Sequence, residues 1–195
     1  MDYPKRELTF APVETIETQR LIMRRFTQAD AEEMFLTWAR DANVTRYMAW
    51  LPHPDIEETR RVIAIWEDAY NHPEKEHNFA LVIKDTNKLI GSLGIVPRPC
   101  NASCEIGYCM GVPFWGKGYM TEAALAAVRF CFEAMNAQKV FATHHPDNPA
   151  SGRVMQKCGM TRDGLLRRDI TLPAVGICDS VNYSVLREEW EGRQK

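Results

Sequence analysis

The chain has 195 residues, 45% of them hydrophobic and 26% charged, with a formal net charge of −2. That length and apolar share fit one globular domain spanning residues 1–195 with a sizeable core, and they exclude a disordered chain. The charge provides no global attraction to nucleic acid or to an anionic membrane, so neither is an expected partner and any basic site must be local.

In chain order the first element is a strand, "TQRLIMRRF" (Thr18 to Phe26). "TQADAEEMFLTWARD" follows as a helix, with Thr27 as its N-cap and Asp30 in its first turn. "PDIEETRRVIAIWEDAYN" forms a second helix, opened by Pro54 and Asp55, with Ile56, Val62, Ile63, Trp66 and Tyr70 near one face. "NFALVIK" and "KLIGSLGIV" flank "DTN" as the arms of a hairpin, and "CEIGYCMG" adds a third strand. That strand stops near Val112, because Pro113 can donate nothing to a ladder.

After Gly118 the apolar positions Met120, Ala124, Val128, Cys131, Phe132 and Met135 recur at helical spacing, with Glu122, Arg129 and Glu133 between them. "KVFATHH" is a strand, a helix runs from Asn148 to about Cys158, and the last two strands lie around "RRDITL" and "VNYSVLREEW". The order β-αα-βββ-α-β-α-ββ predicts a mixed α/β fold, with a central sheet of about seven strands, about four helices and one central crossover.

The start "MDYPKRELTF" lacks the apolar stretch of a signal peptide, and no run of about 18 apolar residues occurs, so a cytoplasmic protein is expected. Six cysteines (Cys100, Cys104, Cys109, Cys131, Cys158 and Cys178) without CxxC or zinc spacing read as reduced, mostly buried thiols, and no metal site is expected. The sequence leaves a homodimer open.

The chemistry concentrates in "GYCMGVPFWGKGYMTEAA". Gly116 and Gly118 lack Cβ atoms, so turn N–H groups can converge on one spot at a helix start, where an anion is favoured. Lys117 adds a full positive charge. A phosphate is the natural guest. A Walker loop is excluded, because Gly118 rather than Ser or Thr follows Lys117 and the four-residue gap between glycines is missing. A dinucleotide fingerprint fits poorly, since Thr121 stands where a third glycine or alanine belongs and the motif lies past residue 100. A glycine turn that only joins strand to helix is the plain alternative.

The strand, "PFWGKGYMTEAA", the next strand and "HPDNPASGRVMQKCGM" together resemble the GNAT superfamily of acyl-CoA-dependent N-acetyltransferases. The likeness is nearest to the branch with the ribosomal-protein N-terminal acetyltransferases of the RimJ and RimL type, and it runs from "ETQRLIMRRF" to "NYSVLREEW". It implies a GNAT-like fold with a mostly antiparallel sheet and acetyl-CoA as donor. The backbone from Trp115 through Gly116, Lys117, Gly118, Tyr119 and Met120 to Thr121 would hold the coenzyme A pyrophosphate. The strand end at Met110, Gly111 and Val112 would pair with the pantetheine arm, which Asn148 and Ser151 would also contact. Pro113 departs from the Gln or Arg that usually begins this motif.

Acetyl transfer to an amine needs a deprotonated nitrogen and a proton for the departing thiolate. Glu105, on the strand beside the thioester, suits the first role; an ordinary strand-edge carboxylate is the alternative. The tyrosine that many GNAT enzymes place seven residues after the asparagine is absent, because Met155 stands there. The resemblance makes Ser151 the substitute acid, with His144 or His145 as alternatives, and Ser151 or Asn148 also suits a helix start. Arg46, Tyr47, Trp50 and His53 are expected wall residues for the acceptor. An α-amine of pKa about 7.7–8.0 yields its proton more readily than lysine near 10.4, which favours a protein N-terminus over a lysine side chain. A small-molecule amine, such as an antibiotic or polyamine, and a non-catalytic coenzyme A sensor are the rival readings.

Overall fold

The computed structural model describes residues 7–193. The strands are β1 (Ile16–Glu17), β2 (Leu21–Arg24), β3 (His77–Ile83), β4 (Lys88–Arg98), β5 (Ser103–Met110), β6 (Lys139–His144), β7 (Thr161–Leu172) and β8 (Gly176–Leu186). They form one sheet in the order β1-β2-β3-β4-β5-β6-β8-β7. The helices are α1 (Ala31–Met34), α2 (Ala42–Thr45), α3 (Ile56–Ala69), α4 (Tyr119–Glu133), α5 (Pro149–Lys157) and α6 (Arg187–Gly192). The architecture is the expected mixed, mostly antiparallel one, with eight strands and six α-helices among the described residues rather than about seven and four.

The additional elements have local causes. The first expected helix is broken: a 3-10 turn at Gln28–Asp30 leads into α1, and a π-turn at Phe35–Ala39 separates α1 from α2. The capping box of Thr27 and Asp30 fixes its start. The π-turn, closed by the Arg40 N–H to Phe35 carbonyl bond at 3.3 Å, brings both Trp38 and Ala39 into the interior. The last strand does not run to Trp190. It ends at Leu186 because Arg187 turns inward to donate to the Phe132 and Ala137 carbonyls at the end of α4, where a helix terminus favours a cation, and α6 begins there.

The two faces of the sheet carry two cores. On one, Cys104, Ile106 and Met110 of β5 pack with Met120, Ala123, Ala127 and Cys131 of α4. On the other, Ala80, Val82, Leu89 and Cys109 pack under Met34, Trp38 and Ile63. Neighbouring strands are antiparallel except β5 and β6, whose parallel pairing covers only Ser103↔Lys139, Cys104↔Val140 and Glu105↔Phe141. Beyond those pairs the strands part, and the edge of β5 from Ile106 to Met110 is left without a β6 partner.

Candidate active site

Alternation along β5 turns Glu105, Gly107 and Cys109 into a cleft of about 790 Å³ between the sheet, α3 and the segment 48–54. Trp38, Trp50, His53 and Trp66 form its walls. Asn78, Gly94 and Gly107 lie side by side across three strands of its floor. The two glycines differ. A Cβ on Gly107 would meet nothing within 4 Å, whereas one on Gly94 would come within 2.7 Å of Glu76 Oε1. The cleft floor is therefore open at Gly107, next to the unpaired edge of β5.

The polar end of the cleft holds Glu105, Arg98 and Glu76. Arg98 Nη2 lies 2.6 Å from Glu105 Oε2, a half-exposed ion pair. The Asn78 amide is oriented by its neighbours: its nitrogen donates to Glu76 Oε1 at 3.2 Å and its oxygen accepts from Trp66 Nε1 at 3.1 Å. His53 Nδ1 meets Thr59 Oγ1 at 2.8 Å, and burial lowers the imidazole pKa, so the ring is neutral near pH 7.

Across the parting of β5 and β6, Ser151 and Tyr108 form a bridge. Ser151 Oγ donates to Tyr108 Oη at 3.1 Å, and that hydroxyl donates to the Ser151 carbonyl at 3.0 Å. Burial raises the Tyr108 pKa far enough that the phenol stays protonated. Asn148 is the N-cap of α5, its side-chain oxygen accepting from the Ser151 N–H at 3.4 Å. Met155 is buried in the main core.

The expected wall residues divide. Trp50 and His53 line the cleft, whereas Tyr47 stacks on His145 with centroids 4.8 Å apart and Arg46 lies over Tyr47. His144 packs against α5, its Nε2 filling the space that a Gly152 Cβ would take. Neither histidine lines the cleft.

At the other end of β5 the chain turns through Val112–Phe114, and Trp115 Nε1 donates to the Met110 carbonyl at 2.6 Å. Gly116 and Gly118 have φ of 73° and 81°, a region L-residues rarely adopt. The first bond of α4 runs from the Glu122 N–H to the Gly118 carbonyl, so the N–H groups of Gly118, Tyr119, Met120 and Thr121 project from the helix start without helical partners. Arg20 braces this turn, with its Nε 2.6 Å from Glu122 Oε2 and its Nη1 3.0 Å from the Lys117 carbonyl. Lys117 itself lies over the Phe114 ring.

Comparison with known proteins decides the family: the model described as acetyltransferase (GNAT) domain matches residues 20–161. This chain belongs to the GNAT acetyltransferases. It is 29% identical to the uncharacterized N-acetyltransferase p20 of Bacillus licheniformis, over 92% of this chain and all of that one. It is 26% identical to the [ribosomal protein uS5]-alanine N-acetyltransferase of Escherichia coli, over 78% of this chain and 81% of that protein. The crystal structure of a GNAT-family acetyltransferase from Bacillus anthracis superposes with a TM-score of 0.80 at 28% identity, covering 90% of this chain and 99% of that one.

The GNAT enzyme takes acetyl-CoA, and the residues present fit it. The free N–H groups at the start of α4 suit a diphosphate, and the unpaired edge of β5 suits an extended, amide-bearing arm. When bound, acetyl-CoA supplies an activated acetyl thioester. Among the described residues no helix is long and apolar enough to cross a membrane.

Sequence reasoning missed Glu76, Arg98 and Tyr108. Tyr108 stands in a strand run and Arg98 two residues past one, neither in a motif, and their contacts depend on which strand lies beside which. Glu76 had one signal, a charge two residues before the apolar strand run "NFALVIK".

Proposed function

We propose that this enzyme acetylates a primary amine lying over Gly107, and that a protein or peptide N-terminal α-amine, of the kind that RimJ- and RimL-type enzymes take, is the acceptor class. The observation that carries the reading is the open Gly107 floor, bordered by carboxylates on one side and by the free edge of β5 on the other. Trp115 to Thr121 hold the diphosphate, Met110 to Val112 and Asn148 the arm, and Trp50 and His53 the acceptor. An ammonium enters the acidic end of the cleft and gives a proton to a floor carboxylate. Ser151, bonded to Tyr108, stands at the start of α5 to protonate the departing sulfur.

The relation to a ribosomal-protein acetyltransferase supports an α-amine, as does the low pKa of that group. The cleft volume and its tryptophan walls also suit a small amine with an apolar body, the second reading. A panel of N-terminal peptides, lysine-bearing N-blocked peptides, polyamines and aromatic amines, incubated with acetyl-CoA while thiol release is followed, separates them. Turnover confined to free N-terminal peptides is expected; turnover only on small amines overturns the acceptor class.

Ser151→Ala is expected to lower turnover roughly 10-fold with acetyl-CoA affinity retained. The loss falls short of the usual general-acid effect, because a thiol of pKa about 8.5 leaves tolerably near neutral pH. Steady-state rates across pH check this: a loss that grows below pH 7 points away from an acid, since free protons then replace the missing group.

A further inference from the structure

The two carboxylates of the cleft are not equivalent. Glu105 is tied to Arg98 at 2.6 Å. Glu76, directly before β3, forms no ion pair among the described residues. As a residue Glu76 is exposed at the cleft mouth, yet its carboxyl end lies down on the sheet over Gly94 and bonds to Asn78. Gly94 makes this possible, because any side chain there would occupy the carboxylate's place. Gly94 in turn pairs with Gly107, so the Glu76 carboxyl rests one strand from the open floor at Gly107.

We propose that Glu76 accepts the proton of the incoming ammonium, and that Glu105, tied to Arg98, tunes the charge of Glu76 rather than taking the proton. The assignment rests on the proposed transfer to an amine. The ammonium gives one proton to the Glu76 carboxylate, and the freed lone pair forms the C–N bond as the C–S bond breaks. The proton that nitrogen loses on becoming an amide balances the one that the thiolate gains on becoming a thiol. Glu76 then returns its proton to water.

The charge environment supports the division. Burial raises the Glu76 pKa above the ordinary carboxylate value and the Glu105 charge pushes the same way, against the Asn78 hydrogen bond and the Arg98 charge. A base whose pKa lies nearer the working pH accepts protons more effectively. Across the cleft, the facing groups are Glu58, which is paired with Arg61, and the neutral His53.

The test combines kinetics of Glu76→Gln, Glu76→Asp and Glu105→Gln with a carboxyl NMR titration of the free protein. Glu76→Gln is expected to lower turnover about 100-fold with acetyl-CoA affinity unchanged, which also verifies folding. Glu76→Asp, which keeps the charge but shortens the reach, falls between, and Glu105→Gln loses less than about 10-fold. In the titration, Glu105→Gln removes a like charge and moves the Glu76 resonance to lower pH, while Arg98→Met removes an opposite charge and moves it to higher pH. Turnover of Glu76→Gln within about threefold of the unmodified enzyme overturns the proposal. So does a Glu76 resonance that titrates in the ordinary carboxylate range and ignores both neighbours. If no amine is acetylated at all, the proposed function fails, and the titration still decides the role of Glu76.

Discussion

Replacing Gly107 with valine is expected to cut kcat/KM for the acceptor about 100-fold or more while leaving the fold and acetyl-CoA affinity intact. The argument rests on where the new side chain goes. A Cβ at Gly107 meets no heavy atom within 4 Å, so it displaces nothing in the free protein. Valine suits a strand, and removing a strand glycine recovers roughly 0.5–1 kcal/mol of backbone entropy, so thermal unfolding should hold or rise slightly. The added methyls fill the floor beside the free edge of β5, and a displacement of the acceptor by about 1 Å there is enough for a loss of this size. Gly91 shows the contrast: a Cβ at that position would lie 2.4 Å from the Cys109 carbonyl oxygen, so that glycine is required by packing. Steady-state kinetics, unfolding and calorimetry on the same preparation check the prediction. Undiminished turnover with Gly107→Val would move the acceptor off this floor.

The same residues explain what could be read from the chain alone. Elements carried by local chemistry were legible: Pro113 ends β5, the Gly116 and Gly118 pair opens α4, and Asn148 caps α5. Elements that exist because of distant partners were not. α6 begins where Arg187 finds two carbonyls near the end of α4, some fifty residues earlier in the chain, and no local signal announces that bond. β1 is a two-residue ladder against Met23 and Ile22, too short for alternation to register. The site divides in the same way. Its glycine turn before α4 is one continuous segment and was readable, and Glu105, Trp50 and His53 line the cleft. The Glu76–Asn78–Trp66 chain joins β3 to α3, and the Ser151–Tyr108 bridge joins α5 to β5; both depend on tertiary register. Arg46 and Tyr47 are expected on the acceptor wall because their segment borders the thioester end, but Tyr47, just past the short helix α2, stacks on His145 and Arg46 lies over Tyr47.

Gly118→Val is expected to weaken coenzyme A binding by roughly 10–100-fold, because φ at this position is 81° and a β-branched residue held there is strained by about 1–3 kcal/mol. The turn has two ways to respond, and both harm the proposed anion site. If it keeps its geometry, the new side chain stands where its Cβ is 3.4 Å from Arg20 Nη2 and presses on the guanidinium that bonds to the Lys117 carbonyl. If it relaxes to a negative φ, the N–H groups of Gly118 and Tyr119 swing away from their common direction, and charge-assisted bonds to a diphosphate are lost. Arg20 makes the second route harder, since its link to Glu122 ties the turn to the first helical turn of α4 and to the strand side of the sheet. The buried face of α4 is untouched, so the helix itself should persist. Calorimetry with coenzyme A and with acetyl-CoA measures the loss, and circular dichroism verifies the helix. The loss should be alike for both ligands, because they differ only at the thiol end, far from the turn. A loss seen with acetyl-CoA alone would instead place Gly118 at the thioester, and an unchanged affinity for both would put the diphosphate elsewhere on the molecule.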